Sequence, residues 1–192
     1  MRRNSPVPLL LPLLLFVGLG LFSCARKTPA PAPLSEADQI ARGHYLVTVT
    51  GCNDCHTPGY LFGSPDTSRR LSGSELGWKG PWGVSYARNL TPEPRTGIGA
   101  WSEGDIVAAL RTGKRPDGTM LLLPMPWPDL AALTDEDAMA IAKYLKTLPP
   151  VTHRGPDRLA PGEAAKGSII AFPPPSAWDA PRTPPAAAPA IP

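Results

Sequence analysis

Cys52-Asn53-Asp54-Cys55-His56 decides how the rest of the chain is read. Two thiols three positions apart, with an imidazole on the next residue, fall on one side of the backbone if the stretch forms a short helical turn. That pattern is the attachment signature of a c-type haem: the thiols bond to the two porphyrin vinyl groups, and the histidine lies under the iron as its proximal ligand. Five residues also admit other chemistries. Cys52, Cys55 and two histidines could hold zinc, but no second Cys pair stands at zinc-finger spacing. A redox dithiol would need a βαβ pattern around the motif, and none surrounds it. A haem with an open sixth position, as in a gas sensor or peroxidase-like enzyme, is the remaining alternative.

The compartment comes from the beginning of the sequence. Met1-Arg2-Arg3 followed by the apolar Leu9–Phe22 stretch has the charged and hydrophobic regions of an export signal. The run is short for a membrane span and is broken by Pro12, Gly18 and Gly20; an uncleaved anchor helix is the competing reading. Leu21-Phe22-Ser23-Cys24 resembles a bacterial lipobox, which implies cleavage before Cys24 and lipidation of Cys24. Acyl chains there would anchor the protein to a membrane without spanning it, at about 0.8 kcal/mol per buried methylene. The alternative is ordinary cleavage near Ala25 and a soluble product. Cysteine use agrees with the lipidated form: of three cysteines, one takes lipid and two take haem. An exported chain with spare thiols would be expected to form a disulfide.

Removing Arg2 and Arg3 from the 19 Lys and Arg leaves 17 against 16 Asp and Glu. Such a near-neutral chain offers no electrostatic case for nucleic acid. Four segments follow: a lipoprotein signal (1–23), a Pro/Ala tether (24–35), a folded domain (36–150) and a Pro-rich tail (151–192). The tether favours extended polyproline II and would reach roughly 30 Å. From Pro149 onward there are 12 prolines in 44 residues, so the tail reads as largely extended and disordered, with Ile169, Ile170, Phe172 and Trp178 as its possible anchors.

Three capping-box patterns start helices, at Ser35–Asp38, Ser102–Asp105 and Thr134–Asp137. The first helix shows Ile40, Gly43, His44 and Val47 on one face, with Gly43 open to close backbone approach. The second carries Ile106, Ala109 and Leu110 and stops at Gly113. The third buries Ala138, Ile141, Ala142 and Leu145 and ends at Pro149-Pro150. Thr57–Tyr86, rich in Gly, Ser and Pro, reads as a long loop that covers a cofactor. Leu121–Pro128, with prolines at 124, 126 and 128, is extended or looped rather than helical.

A six-coordinate iron needs a second ligand opposite His56. His44 lies too near the attachment site on its own helix and is better read as a packing residue. His153 would need a long excursion from the tail, and Met139 sits inside a helix. Met120 and Met125 remain. Met125 is preferred because Pro124 and Pro126 pre-organise its loop; Met120, beside Leu121-Leu122-Leu123, is the alternative. Trp78, Trp82, Arg88 and Asn89 are candidates by residue type for the haem propionates.

The pattern as a whole resembles a class I cytochrome c over about residues 36–150. The residues that carry the resemblance are Arg42-Gly43-His44-Tyr45-Leu46, Cys52–His56, Asn89-Leu90-Thr91-Pro92, Thr96-Gly97-Ile98-Gly99 with Trp101, Leu110-Arg111-Thr112-Gly113, Pro124-Met125-Pro126-Trp127, and Tyr144–Pro150. The set is most similar to mono-haem domains in cytochrome subunits of bacterial membrane-associated dehydrogenases. The resemblance implies a small all-α fold with first and last helices crossing at Gly43, loops around one covalent haem c, and the Met of Pro-Met-Pro as distal ligand. It also implies an electron-transfer protein rather than an enzyme. Its transient redox partners would be a dehydrogenase, an oxidase or another cytochrome. Dehydrogenase subunits of this kind often carry three haem domains, whereas this chain has one attachment motif. The expected role is therefore a lipid-tethered one-electron carrier in the cell envelope, facing the periplasm, with a dehydrogenase subunit as the alternative.

Overall fold

A computed structural model describes residues 34–179; the signal, Cys24 and most of the tether lie outside the described residues. Five helices, α1 (Glu36–Val49), α2 (Cys52–His56), α3 (Glu103–Thr112), α4 (Trp127–Leu130) and α5 (Asp135–Thr147), share the fold with three strands, β1 (Gly77–Gly80), β2 (Gly83–Tyr86) and β3 (Ile169–Ala171). The all-α expectation is thereby corrected: the domain combines helices with a mixed sheet in the order β2-β1-β3.

The helices form where their caps predict. Ser35, Ser102 and Thr134 each accept a backbone N–H at the third helical position. The reciprocal box closes only at Ser102, whose N–H donates to Asp105. Asp137 cannot do the same in α5, because both its oxygens face the Arg42 guanidinium of α1, at 2.8 and 3.2 Å. In α1 the Asp38 carboxylate accepts from the Ser35 hydroxyl instead.

Helices α1 and α5 cross at Gly43. A Cβ there would stand 2.0 Å from the carbonyl oxygen of Ala140, so the backbones meet only because the residue has no side chain. Around this crossing Leu46, Val47, Ile141, Ala142 and Leu145 are buried with Ile106 of α3, Leu71 and Ile98. His44 is exposed and its ring lies 5.0 Å from that of Tyr144. Lys146, at the end of α5, donates to the carbonyls of Gly99 and Trp101 and pins that loop.

The segment read as loop contains β1 and β2, paired antiparallel with Trp78 opposite Ser85 across a Pro81-Trp82 turn. Gly83, at φ 93°, lets the chain re-enter the ladder. The third strand comes from the Pro-rich tail: β3 lies parallel to β1, with Gly77 facing Ile169 and Trp78 facing Ile170. Phe172 continues from β3 onto the rings of Trp78 and Trp82, and Leu159 pairs with Val84. The described part of the tail is therefore laid onto the domain. One further adjustment concerns Trp127 and Pro128, which begin a single helical turn; Pro128 is tolerated because N–H groups of the first turn have no intrahelical acceptor, so the one it lacks breaks no helix bond.

Gly43→Ala tests the crossing. Ala gains about 1 kcal/mol of helix propensity, but the added methyl meets backbone that cannot rotate away. Net destabilisation of about 2 kcal/mol, in the range for overpacked cores, is expected in urea unfolding, with the helical signal retained at low temperature.

Candidate haem site

Helix α2 is a single turn entered through Gly51 in the left-handed conformation, at φ 70°. It places the side chains of Cys52, Cys55 and His56 within one turn and half-buries both thiols, which are unpaired. Burial pushes both thiols up; the charge of Asp54 adds to the effect at Cys55, which rises to about 11. A redox dithiol would need its attacking thiol lowered instead. Among the described residues no group of three or more His, Cys, Asp or Glu side chains converges, so the two thiols have no partners for a zinc site.

His56 is 8 % exposed, and its Nδ1 lies 2.6 Å from the backbone carbonyl of Arg88. A carbonyl can only accept, so Nδ1 carries the proton and Nε2 keeps its lone pair. Burial lowers the pKa of the ring, with the Arg88 bond opposing, so the imidazole is held neutral. A neutral ring, oriented through Nδ1–H with Nε2 free, is the form in which histidine binds a metal.

The carbonyl of Arg88 is itself fixed by its neighbours. Gly73 N–H donates to His56 O, Ser74 N–H to Ala87 O, and Leu90 N–H to Leu71 O. These bonds stitch α2 and the 71–74 loop to the strand leaving β2. Leu71, at φ 58°, is fully buried, and its N–H donates to the Thr57 hydroxyl. Asn89 is a buried junction: Oδ1 accepts from the N–H and hydroxyl of Thr91, and Nδ2 donates to Val151 O and Thr96. Glu93 collects the N–H groups of Arg95 and Thr96, together with the Thr96 hydroxyl. The Asn89–Pro92 and Thr96–Gly99 motifs thus form a belt that holds the acceptor of His56.

Of the four residues named for carboxylate groups, Asn89 is occupied in this belt, and Trp82 Nε1 donates to Trp78 O. Trp78 Nε1 is different: it is buried without any hydrogen-bond partner, alone in this among the described side-chain nitrogens and oxygens. The half-buried Arg88 guanidinium reaches Gly155 O and Asp157 only at 3.4 and 3.5 Å. An orphaned indole N–H and a weakly paired cation fit an anionic group such as a haem propionate. Together with the Cys–Cys–His set, they make the residues present compatible with a c-type haem.

Met125 is half-buried, and its N–H closes a turn onto Leu122 O at 3.1 Å. Gly113 holds both ends of this loop. Its carbonyl accepts from Leu121 N–H, and the Trp127 ring lies where a Gly113 Cβ would be. Met120 stands in an isolated bridge with Lys114, at the base of the loop. His153 is used elsewhere, with Nδ1 on Ser72 O and Nε2 on Glu75. Sequence reasoning missed the Arg88 carbonyl and Ser85, whose hydroxyl donates to Leu123 O. A backbone acceptor leaves no mark in residue type, and a serine in a glycine-rich stretch carries no distinguishing signal.

No family model matches the chain. It is 37 % identical over 131 residues to the cytochrome c subunit of alcohol dehydrogenase (quinone) from Gluconobacter oxydans (strain 621H), covering 66 % of this chain and 26 % of the relative. With the cytochrome subunit of fructose dehydrogenase from Gluconobacter japonicus the identity is 35 % over 119 residues, covering 62 % and 23 %. A diheme cytochrome c-type protein of Cereibacter sphaeroides is 30 % identical over 116 residues, covering 58 % and 37 %. The chain is thus a relative of cytochrome c subunits, and it spans about a quarter of the length of the first two.

The belt can be tested without any cofactor-dependent readout. Asn89→Ala strands the Thr91 and Val151 groups at a buried junction. Destabilisation of about 2 kcal/mol is expected in denaturant titration, together with faster proteolysis of the tail after Val151.

Proposed function

We propose that the chain carries one covalent haem c, bound through thioethers to Cys52 and Cys55 with His56 and Met125 as axial ligands, and serves as a one-electron carrier in the bacterial cell envelope. The observation that carries this reading is the His56 imidazole, buried, neutral and aimed by its Nδ1–H bond to Arg88 O, on the same helical turn as two unactivated thiols. The bound haem would supply iron that alternates between ferric and ferrous states with both axial positions filled.

The protein's own groups would then do the following. Cys52 and Cys55 hold the cofactor against loss. His56 supplies Nε2, made more basic by the bond at its other nitrogen. Met125 supplies a thioether, and a His/Met pair raises the reduction potential relative to other axial sets. Trp78 and Arg88 receive propionate charge. Burial of the porphyrin within the domain would further disfavour the ferric charge. Electrons would pass from a dehydrogenase or quinol-oxidising complex to a terminal acceptor through small, transient docking. The names of the relatives favour a second form of the same role, as an electron-transfer subunit within a dehydrogenase assembly.

Cys24, outside the described residues, would be lipidated and hold the domain at a membrane facing the periplasm. No helix among the described residues is long and apolar enough to cross a membrane.

The visible spectrum of protein matured with haem-attachment machinery tests the ligation. Haem should resist acid-acetone extraction, and Cys52→Ala with Cys55→Ala should abolish that resistance. The weak long-wavelength band of a thioether on ferric haem should vanish in Met125→Ala and persist in Met120→Ala; the reverse would transfer the ligand to Met120. For the anchor, Cys24→Ser should move the protein from the membrane fraction to the soluble envelope fraction; retention in the membrane fraction would refute lipidation.

A further inference from the structure

Strand β2 and its continuation touch both segments that bear the proposed axial ligands, helix α2 and the loop of Met125. At Arg88 the main-chain carbonyl takes the Nδ1–H of His56. Three residues earlier, the Ser85 hydroxyl donates to the carbonyl of Leu123, two residues before Met125. Ser85 is buried, in a strand buried along its whole length. The strand is backed by β1 and, through it, by β3 of the tail. A rigid element therefore joins the two sides of the site.

The distal loop needs such a tie. Between Leu121 and Trp127 its internal hydrogen bond is the turn from Met125 N–H to Leu122 O. The ends are held at Gly113 and at Pro126, whose carbonyl accepts from Asp129 and Leu130 N–H, but among the described residues the Ser85 hydroxyl is the one hydrogen-bond partner that reaches Leu122–Met125 from outside the loop. The hydroxyl also faces Trp78 O, at 3.5 Å, which is the limit of a hydrogen bond; Leu123 O is much nearer and takes the proton. Leu123 is itself exposed, so its own side chain does not anchor the carbonyl that Ser85 holds.

We infer that Ser85 is a positioning residue for the distal ligand: its hydroxyl sets where the Leu123–Met125 turn stands relative to the strand that orients His56. This rests on the proposed His56 and Met125 ligation. A thioether is a weak ligand for ferric iron, so its hold depends on how little freedom its loop has to lose. Freeing the Leu123 carbonyl lets the turn move outward and exposes the sixth position to small exogenous bases. The same deletion leaves the Arg88–His56 bond in place, so the effect falls on the distal side alone.

The experiment is an imidazole titration of the ferric holoprotein in wild type, Ser85→Ala and Ser85→Thr, with the thioether band followed in parallel. Ser85→Ala should bind imidazole about fivefold more tightly, the equivalent of one lost hydrogen bond, with a weakened band and a lower reduction potential. Ser85→Thr keeps the hydroxyl and suits a strand, so it should remain close to wild type. Alanine and threonine variants that behave alike, whether both unchanged or both altered, would overturn the role of the hydroxyl. The ligation reading fails separately: if the wild-type band is absent or survives in Met125→Ala, that reading falls and this inference falls with it. A band that depends on Met125 but ignores the hydroxyl removes only the inference.

Discussion

The bond from His56 Nδ1–H to the Arg88 carbonyl is the constraint on which the site depends. It chooses the tautomer, turns the ring and leaves Nε2 as the free donor atom. A backbone carbonyl does this more rigidly than a side chain, because it has no rotamer to lose. The cost is that a main-chain segment lying outside any helix must be held still. The Asn89 junction, the Glu93 turn and the stitching bonds from Gly73, Ser74 and Leu90 meet that demand. Polar residues buried there (Asn89, Thr91, Glu93) each find partners, which keeps burial affordable.

Two kinds of stiffness meet around this bond. The α1–α5 crossing supplies apolar packing, made possible by direct backbone contact at Gly43. The sheet supplies hydrogen-bonded rigidity on the side of the loops, and it is completed by residues from the far end of the chain. The tail also closes over the belt: Val151 O receives Asn89, and His153 reaches Ser72 and Glu75. Its prolines do not prevent this, since most of its described residues lie outside helices and strands, where a missing N–H breaks no ladder.

The correction from all-α to a mixed architecture has a physical cause. Strands of three and four residues are too short to display a period of two, and β1 and β2 contain Gly77, Gly80 and Gly83, which argue locally for loop. Their third partner lies about ninety positions downstream, in a proline-rich segment whose composition points to disorder. The caps were legible at Ser35, Ser102 and Thr134 because an N-cap is a local event. Reciprocity at Asp137 was not legible, because Arg42, 95 residues away, competes for the same carboxylate. Trp78 illustrates the same limit: its residue type made it a candidate, but only burial without a partner separates it from Trp82.

The sequence by itself determined what depends on residues close together: the Cys52–His56 turn, the three capped helices, the left-handed stop at Gly113 and the glycine that permits a close crossing. These follow from side-chain chemistry and backbone sterics within a few residues. Only the tertiary structure decided which carbonyl orients His56, which hydroxyl reaches the Met125 loop, and where the tail finds its strand. Those outcomes depend on backbone groups, identical in every residue, and on partners brought together by packing across the whole chain. Nothing in residue identity marks a carbonyl until the fold has aimed it.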